Sequence, residues 1–317
     1  AAILTAPTDR GERNTLLDAV TRHLRRKHPR AQAFMVQRLD RGVSGLLVFA
    51  KTRGAAEALQ EQFKTHTVRR EYLAIVGRNG SGKSTLAKCL SGLLSPSSGD
   101  VRVNGASTRD AAALVGIRAT VGMVLQNPDN QFVTSSVEDE VAFGPENLGV
   151  PPAEIRRRVA SAIERVGMCG QELRDPHLLS SGEKARLAVA AMLAMEPQCL
   201  VLDEATATLD PRSRGSLLAL LRELYSAGMT IITVTHHMTE VTRAKRVVVM
   251  ERGQIALTGA PAEVFARDDA LKGYGLALPP AAAVERGLAR RGLELGRDVV
   301  TAEELVRRVV ALWEGEG

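Results

Sequence analysis

A stretch of nine residues, 77–85, has the composition and spacing of a loop that binds phosphate. It reads Gly-Arg-Asn-Gly-Ser-Gly-Lys-Ser-Thr and fits the pattern G-x-x-x-x-G-K-[ST]. Its glycines let backbone N–H groups curl around phosphate oxygens, and a helix beginning after it would point its positive end at the same charge. The loop residues expected to contact a nucleotide are Gly77, Asn79, Gly80, Ser81, Gly82, Lys83, Ser84 and Thr85.

Two side chains of this loop have more specific expected roles. Lys83 is expected to reach the β- and γ-phosphates, and the Ser84 hydroxyl to bind Mg²⁺. The flanking sequence supplies the elements that must position them. Residues 72–76 form a short apolar strand, and apolar residues then recur at helical spacing at Leu86, Cys89, Leu90, Leu93 and Leu94. Strand, loop and helix together predict a nucleotide site.

Further polar residues follow strands or begin helices elsewhere in the chain. Residues 199–204, Cys-Leu-Val-Leu-Asp-Glu, form an apolar strand that ends in two acids. One carboxylate could hold Mg²⁺ through water, and the next could orient the attacking water in phosphoryl transfer. Ser180 and Glu183 fit a capping box, and the same helix start could also face phosphate. His236 follows a strand at the edge where doubly wound sheets bind ligands, whereas His237 is given no role.

The order of elements predicts a parallel sheet covered by helices, and therefore an α/β fold. Strand patterns cover 101–103, 199–203, 229–235 and 246–250, and 121–128 is a strand that ends in a polar loop. Helical patterns are dense over 137–195, including 152–167 and 182–195, and continue at 212–226 and 237–243.

Length and composition limit the class of protein. The chain has 317 residues, enough for two domains, and 25% charged and 44% hydrophobic residues are usual for soluble proteins. No apolar run approaches the roughly 18 residues that span a bilayer, so a membrane role would need a partner. The three cysteines are widely spaced, which favours reduced thiols in the cytosol.

Basic residues are concentrated in the first quarter of the chain. Residues 1–72 hold 14 Lys and Arg against 7 Asp and Glu, while the remaining 245 residues hold 28 against 29. The cluster around Arg22, Arg25 and Arg26 can be a solvated helix face or a surface for a polyanion. Patterns here predict a helix over 12–29, a strand, turn and strand over 34–51, and a helix over 54–64.

The N-terminal part resembles the RNA pseudouridine synthases of ribosomal and transfer RNA. The resemblance rests on Arg38-Leu39-Asp40, Ser44-Gly45-Leu46 and Arg70-Glu71-Tyr72-Leu73-Ala74. It implies that Asp40 is the alternative, synthase-type nucleophile, with Tyr72 packing against a flipped base and RNA as partner. Gln37 and Val43 stand where that family has His and Thr, and only about 70 residues match its domain. An Asp beside a turn can also be a simple turn former.

Residues 73–317 resemble the ATP-binding-cassette (ABC) ATPases, motif by motif. The resemblance implies a P-loop NTPase fold with a helical subdomain, and ATP and Mg²⁺ as cofactors. The phosphate loop, Ser84, Gln126 and Asp203 would hold Mg-ATP, with Gln126 sensing both the metal and the transport subunit. Glu204 would be the catalytic base and His236 the switch histidine. The signature residues Ser180, Ser181 and Gly182 and the dimer-contacting Asp210 would bind nucleotide across a dimer.

A finer resemblance is to the energy-coupling-factor importers, including the cobalt and nickel type. It rests on Gln126-Asn127-Pro128-Asp129-Asn130-Gln131, on 141–147 and on the tail 253–265. It implies a peripheral subunit on the cytoplasmic face of the cell membrane. The implied partners are a second ABC ATPase subunit, identical or not, a membrane coupling subunit and a membrane subunit that binds the transported substrate.

Two departures accompany this resemblance. Ser181 and Glu183 stand where the ABC signature has Gly and Gln. The strands that ABC ATPases carry before the phosphate loop, with an adenine-stacking aromatic, are replaced by the partial α+β synthase-like segment. The expected layout is a fragment at 1–72, an ABC core at 73–257 with its helical subdomain at about 137–195, and a helical extension at 258–317. The sequence thus predicts a chimera whose main activity is ATP hydrolysis. The alternatives are a truncated, inactive synthase or a nonfunctional fusion that binds nucleotide weakly.

Overall fold

A computed structural model describes residues 16–26, 32–35, 49–50, 52–54, 57, 71–296 and 298–315. The described part divides into two compact units. One is drawn from residues 1–69 and 102–107, and the other from 70–101 and 108–317. Each unit is described by itself below.

The larger unit is built on a six-stranded sheet. Its strands are β3 (Tyr72–Gly77), β6 (Val121–Val124), β7 (Cys199–Asp203), β8 (Thr230–Val234), β9 (Arg246–Glu251) and β10 (Gln254–Gly259). They lie in the order β10-β9-β3-β8-β7-β6, and all neighbours are parallel except β10 and β9. The predicted α/β fold with a parallel sheet is therefore confirmed. The antiparallel strand β10 has no counterpart among the predicted strands.

Helices surround this sheet and supply the rest of the core. After the phosphate loop comes α2 (Lys83–Leu90), followed by α3 (Leu114–Thr120), α4 (Val137–Asn147), α5 (Pro152–Arg165) and α6 (Ser181–Leu193). Beyond β7 lie α7 (Pro211–Ser226) and the short α8 (Met238–Val241). The side chains of Leu200, Leu221 and Ile231 are fully buried, so both the sheet and its covering helices contribute to one core. Burial of such side chains is the main stabilising contribution.

The helix after the phosphate loop is shorter than its sequence pattern suggests. It ends at Leu90, where Ser91 and Gly92 close the last turn by donating to Ala87 O and Cys89 O. Leu93 and Leu94 lie beyond the end of the helix and are 46% and 44% exposed. Their predicted place on its apolar face is therefore wrong, because Gly92 takes a φ of 68° that a helix cannot continue.

Within the described residues, four helices follow the sheet toward the C-terminus. They are α9 (Pro261–Phe265), α10 (Asp268–Gly273), α11 (Pro280–Ala289) and α12 (Ala302–Trp313). Phe265 and Leu271 pack into the core of the larger unit. No helix within the described residues is both long and apolar enough to cross a membrane.

The smaller unit has little described structure. The helix α1 (Leu16–Arg25) lies inside the predicted range 12–29, and its basic residues Arg22, Arg25 and Arg26 are exposed. Strand β1 (Phe34–Met35) pairs antiparallel with β2 (Phe49–Ala50), as the predicted strand-turn-strand requires. A hairpin joins β4 (Arg102–Val103) to β5 (Ala106–Ser107). Asp40 with its turn and most of the predicted helix 54–64 lie outside the described residues.

Candidate nucleotide site

The phosphate loop adopts the conformation that its sequence predicts. Gly80 and Gly82 take φ values of 80° and 96°, which residues with a side chain rarely adopt, and Gly82 directly precedes α2. Gly77 leaves no room for a Cβ, which would lie 2.5 Å from Ser81 Oγ and closer still to Met250 O. The loop thus wraps the start of a helix, where the helix dipole favours an anion.

Lys83 lies inside this loop and is only 5% exposed. Its Nζ donates to the carbonyl oxygens of Gly77 at 2.9 Å and Arg78 at 3.0 Å. The ammonium group is therefore held over the centre of the loop by two weak, uncharged acceptors. A phosphate there would offer a stronger, charge-assisted interaction. A cavity of about 360 Å³ opens beside it, lined by Asn79, Gly80, Gly82, Lys83, Ser84, Thr85, Gln126 and Glu204.

Ser84 and Asp203 meet across 119 residues of sequence, because α2 begins at the carboxyl edge of the sheet where β7 ends. The Ser84 hydroxyl donates to Asp203 Oδ1 at 2.9 Å. Burial raises the pKa of the Asp203 carboxyl, and the Ser84 hydrogen bond only partly opposes this. The charged carboxylate thus lacks full compensation in the nucleotide-free protein.

These two oxygens fit a magnesium ion. Mg²⁺ in nucleotide sites takes one or two protein oxygens and completes its shell with phosphate oxygens and water. In the described part of the chain no group of three or more His, Cys, Asp or Glu residues could hold a metal alone. This donor set therefore suits a metal that arrives with a nucleotide.

Glu204 is held in a strained position beside the cavity. It has a φ of 52°, which is uncommon for a residue with a side chain and is frequent at functional sites. Its N–H donates to Val234 O at 2.9 Å, so the end of β8 fixes its backbone. Sequence reasoning did not detect this strain, because nothing in the residues after Asp203 encodes a positive φ.

Two further side chains converge on the Glu204 carboxylate. Gln126 Nε2 donates to Glu204 Oε2 at 3.0 Å, and His236 Nδ1 lies 3.7 Å from the same oxygen. The Glu204 side chain is 13% exposed, whereas that of His236 is 49% exposed. Three residues predicted as catalytic are thus brought together. Gln126 contacts Glu204 here, and not the Ser84–Asp203 pair that it was also predicted to join around the metal.

We expect removal of the Asp203 charge to stabilise the nucleotide-free protein while destroying metal-dependent hydrolysis. Because the folded-state pKa is raised, the ionised form of Asp203 lowers the stability of the fold near neutral pH. That cost disappears as the pH falls through the raised pKa. Asp203→Asn keeps an acceptor for Ser84. Its melting temperature without nucleotide should exceed that of the parent at pH 7, and the gap should narrow toward acid pH.

The control for this prediction is Asp269→Asn, since the Asp269 side chain is 97% exposed. It should change neither the melting temperature nor Mg²⁺-dependent ATP hydrolysis. If the parent melts at a higher temperature than Asp203→Asn at pH 7, and the difference between the two melting temperatures stays the same at acid pH, burial is not the cause of the raised pKa of Asp203.

The signature residues begin α6 with a reciprocal cap. Glu183 N donates to Ser180 Oγ at 3.4 Å, and Ser180 N donates to Glu183 Oε2 at 2.8 Å. Hydrogen bonds from Ser180 and then Arg174 lower the pKa of Glu183, so the residue that replaces the usual Gln is a charged cap. Ser180, Ser181 and Gly182 do not line the cavity beside Lys83. The predicted capping box is present, whereas the role of this helix start in binding a nucleotide phosphate stays a prediction.

Asp210 caps the helix that packs against the signature. Its Oδ1 accepts from Arg212 N at 2.9 Å and from Ser213 N at 3.1 Å. At Gly182 an added Cβ would clash with the Ser213 side chain, so the two helix starts are in close contact. The predicted dimer-contacting residue therefore lies beside the signature and not beside the phosphate loop of its own chain.

Residues 275–277, in the C-terminal part of the chain, line a second cavity beside the phosphate loop, which the sequence analysis did not predict. This cavity, of about 620 Å³, is lined by Gly77, Arg78, Asn79, Glu204, His236, Met238, Gly275, Leu276 and Ala277. At Gly275 an added Cβ would lie 2.7 Å from Arg78 Cδ. Because Gly275 and Arg78 are about 200 residues apart in the sequence, no local pattern could have predicted that they meet at this cavity.

The synthase-like assignment of Tyr72 is wrong for this structure. Tyr72 is 3% exposed and lies in the core, with its ring centroid 6.0 Å from that of Tyr225. Burial raises its pKa to about 12. A ring enclosed in this way cannot stack on a flipped base.

Two family models match different but overlapping parts of the chain. The family model for ABC transporters matches residues 61–207. The family model for RNA pseudouridylate synthases matches residues 1–114. The two matches overlap over 61–114. Within that overlap the described residues 71–101 form the central strand, phosphate loop and helix of the larger unit.

Curated and solved relatives agree with the first of these models. The ATP-binding protein EcfA1 of an energy-coupling factor transporter from Symbiobacterium thermophilum is 52% identical over 246 residues, covering 77% of this chain and 86% of that one. The cobalt import ATP-binding protein CbiO from Syntrophus aciditrophicus is 44% identical, covering 76% and 86%. The structure of cbiO1 from Clostridium perfringens superposes with a TM-score of 0.58 at 33% identity, covering 82% and 96%.

The fold, the phosphate loop and these similarities define an ATPase of the ABC transporter type. The chain belongs to the ABC transporter ATPase family, in the branch of energy-coupling-factor ATP-binding proteins. It is accordingly an ATP-binding protein and an ATP hydrolase.

Proposed function

We propose that this chain is the ATP-hydrolysing subunit of an energy-coupling-factor importer for a metal ion or a vitamin. The observation that carries the proposal is the convergence of Gln126 and His236 on Glu204, beside a phosphate loop whose Ser84 contacts Asp203. These contacts join the ends of three strands at one edge of the sheet. That is the arrangement needed to bind a triphosphate and activate a water next to it.

The chemistry assigned to each side chain follows from its position. Glu204 would take the proton of the attacking water, and Gln126 and His236 would hold its carboxylate in place. Lys83 would exchange its two carbonyl acceptors for phosphate oxygens. Ser84 and Asp203 would hold Mg²⁺, which neutralises phosphate charge when it is bound. Peripheral attachment to the cytoplasmic face of the membrane follows from this role.

A second ATPase subunit would complete the site. The signature and Asp210 lie together on the chain but away from its own phosphate cavity, so they are free to face the nucleotide of a partner. The cassette MJ0796, which is 25% identical over 60% of this chain and matches with a TM-score of 0.56, is a dimer in a post-hydrolysis state with ADP and Pi. By this similarity we infer a dimer with two nucleotides between the subunits.

An apolar groove offers a site for a membrane coupling subunit. It has a volume of about 420 Å³, and its apolar lining includes Phe132, Phe143, Ala188, Ala191, Met192 and Met195. Gln131, on its edge, accepts from Leu125 N at 2.8 Å and donates to Met123 O at 3.0 Å. The segment it braces carries Gln126. A helix of the coupling subunit seated here would therefore act directly on the residue that contacts Glu204.

Substitution in this groove tests the proposed partner. Phe143 is 45% exposed, and Phe143→Asp should abolish co-purification with a co-expressed membrane coupling subunit, since a carboxylate cannot be buried against an apolar helix. Ile255, 62% exposed on β10, supplies the control, and Ile255→Asp should still co-purify. Equal recovery of the coupling subunit with both variants, at unchanged melting temperatures, would contradict docking in the groove.

We also propose that the chain joins a synthase fragment to an ABC core. The match of residues 1–114 to the family model for RNA pseudouridylate synthases supports the presence of a synthase fragment. The burial of Tyr72 supports assigning this part of the fragment to the ATPase core. A synthase needs that ring beside the base, and here it stabilises the ATPase core. We therefore assign no RNA-modifying activity to Asp40 in this chain.

A further inference from the structure

The turn that carries His236 is built on buried polar side chains. Thr235 is 2% exposed and Glu240 is 4% exposed. Thr235 Oγ1 accepts from His237 N at 3.0 Å and donates to Glu240 Oε2 at 2.8 Å. Glu240 N in turn donates to His237 O at 2.9 Å. Residues 235–240 are therefore closed into a ring of hydrogen bonds, with His236 at its exposed side.

The second oxygen of Glu240 faces another functional loop. Glu240 Oε1 is buried and has no hydrogen-bond partner among the described residues, and it lies 4.0 Å from the equally buried Nε of Arg214. Arg214 Nη2 donates to Leu209 O at 3.2 Å, and its backbone N–H donates to Asp210 O at 2.9 Å. One buried carboxylate thus lies between the turn of His236 and the loop 208–210, which ends in the predicted dimer-contacting residue Asp210.

The position of His236 depends on this cluster through its neighbour. The ring centroids of His236 and His237 are 4.2 Å apart with an interplanar angle of 41°. His237 Nε2 is buried without a hydrogen-bond partner in the described part of the chain. Burial lowers the pKa of His237, so this ring is neutral near pH 7 and can pack closely against His236. Fixing the His237 backbone therefore also fixes the direction of the His236 imidazole.

Packing alone does not explain a charge at this position. A buried carboxylate is costly unless its partners hold it, and an apolar side chain of the same size would fill the space at less cost. We propose that Glu240 is a positioning residue for His236, which it links through Thr235 and Arg214 to the dimer-contacting loop 208–210. The proposal rests on the proposed function only in assigning His236 to ATP hydrolysis.

Two pairs of full-length variants test this inference. Glu240→Gln keeps the shape of the side chain but removes the negative charge that faces Arg214 Nε at 4.0 Å. Thr235→Val removes the linking hydroxyl, and Thr235→Ser restores it. Glu223→Gln, at an exposed site on the same helix as Arg214, is the matched control. Two readouts are needed: the imidazole NMR signal of His236, assigned with His236→Gln, and the steady-state kinetics of ATP hydrolysis.

Glu240→Gln and Thr235→Val should move the His236 signal and lower kcat about tenfold, while KM for ATP changes less than about twofold, as misplacement of a catalytic group predicts. Thr235→Ser and Glu223→Gln should match the parent in both readouts. If Glu240→Gln does not fold, the Val and Ser variants of Thr235 decide the question.

An unmoved His236 signal in a folded Glu240→Gln or Thr235→Val variant overturns the inference. So does a loss of kcat that Thr235→Ser does not restore. If the parent itself hydrolyses no ATP, the proposed function fails, and the NMR signal still decides whether Glu240 positions His236.

Discussion

Glu204→Gln is expected to abolish ATP turnover and to leave ATP binding intact. The amide occupies the same space, and Gln126 and His236 can still contact it, but it cannot take a proton from water. Loss of a general base typically costs about 10²–10⁴-fold in rate, so kcat should fall by that factor. Phosphate release and equilibrium binding of ATP, measured on one preparation, check both parts of this expectation.

Glu251→Gln is a suitable control for Glu204→Gln. Glu251 ends β9, its side chain is 26% exposed and its carboxylate lies 3.6 Å from Arg252 Nε. It lines neither of the two cavities described above. It should keep the parent kcat. If Glu204→Gln hydrolyses ATP at the parent rate, Glu204 is not the base, and the contacts of Gln126 and His236 must serve another purpose.

Lys83→Ala is expected to remove most of the affinity for Mg-ATP. The parent ammonium is preorganised at the centre of the loop by two carbonyl contacts. A charge-assisted bond to phosphate is worth roughly 1.5–3 kcal/mol, so Kd should rise by about 10- to 150-fold. Titration calorimetry with Mg-ATP measures this change directly.

Lys88→Ala gives the matched comparison for Lys83→Ala. Lys88 lies on the same helix α2, about 1.4 turns further along, and does not line the phosphate cavity. It should bind Mg-ATP nearly as the parent does. Equal weakening by both substitutions would mean that the general positive charge of the helix, and not Lys83 itself, holds the nucleotide.

Local patterns in the sequence were enough to predict the elements around the site. The apolar strand before Gly77 and the glycines after it specify strand, loop and helix start almost without tertiary help. The alternation of strands and helices from β6 to β9 likewise specified a parallel sheet. The strand β10 was missed because Gln254 and Ile255 are exposed, so it lacks the buried apolar run that marks the other strands.

Contacts across the chain could not be obtained in this way. The pairing of Gln126 with Glu204 spans 78 residues, and only the resemblance to ABC ATPases placed both in one site. The cluster of Glu240, Arg214 and Thr235 has no sequence motif that we identified. Thr235 and Glu240 lie five residues apart in one turn, whereas Arg214 comes from α7 and is brought to them by the packing of that helix on the sheet.

The most direct test of the central claim is to measure two activities side by side on the purified full-length chain. One is Mg²⁺-dependent release of phosphate from ATP, and the other is conversion of uridine to pseudouridine in ribosomal RNA fragments. We expect phosphate release that disappears in Glu204→Gln, and no pseudouridine. Pseudouridine formation that is lost in Asp40→Ala, without ATP hydrolysis, would contradict the central claim.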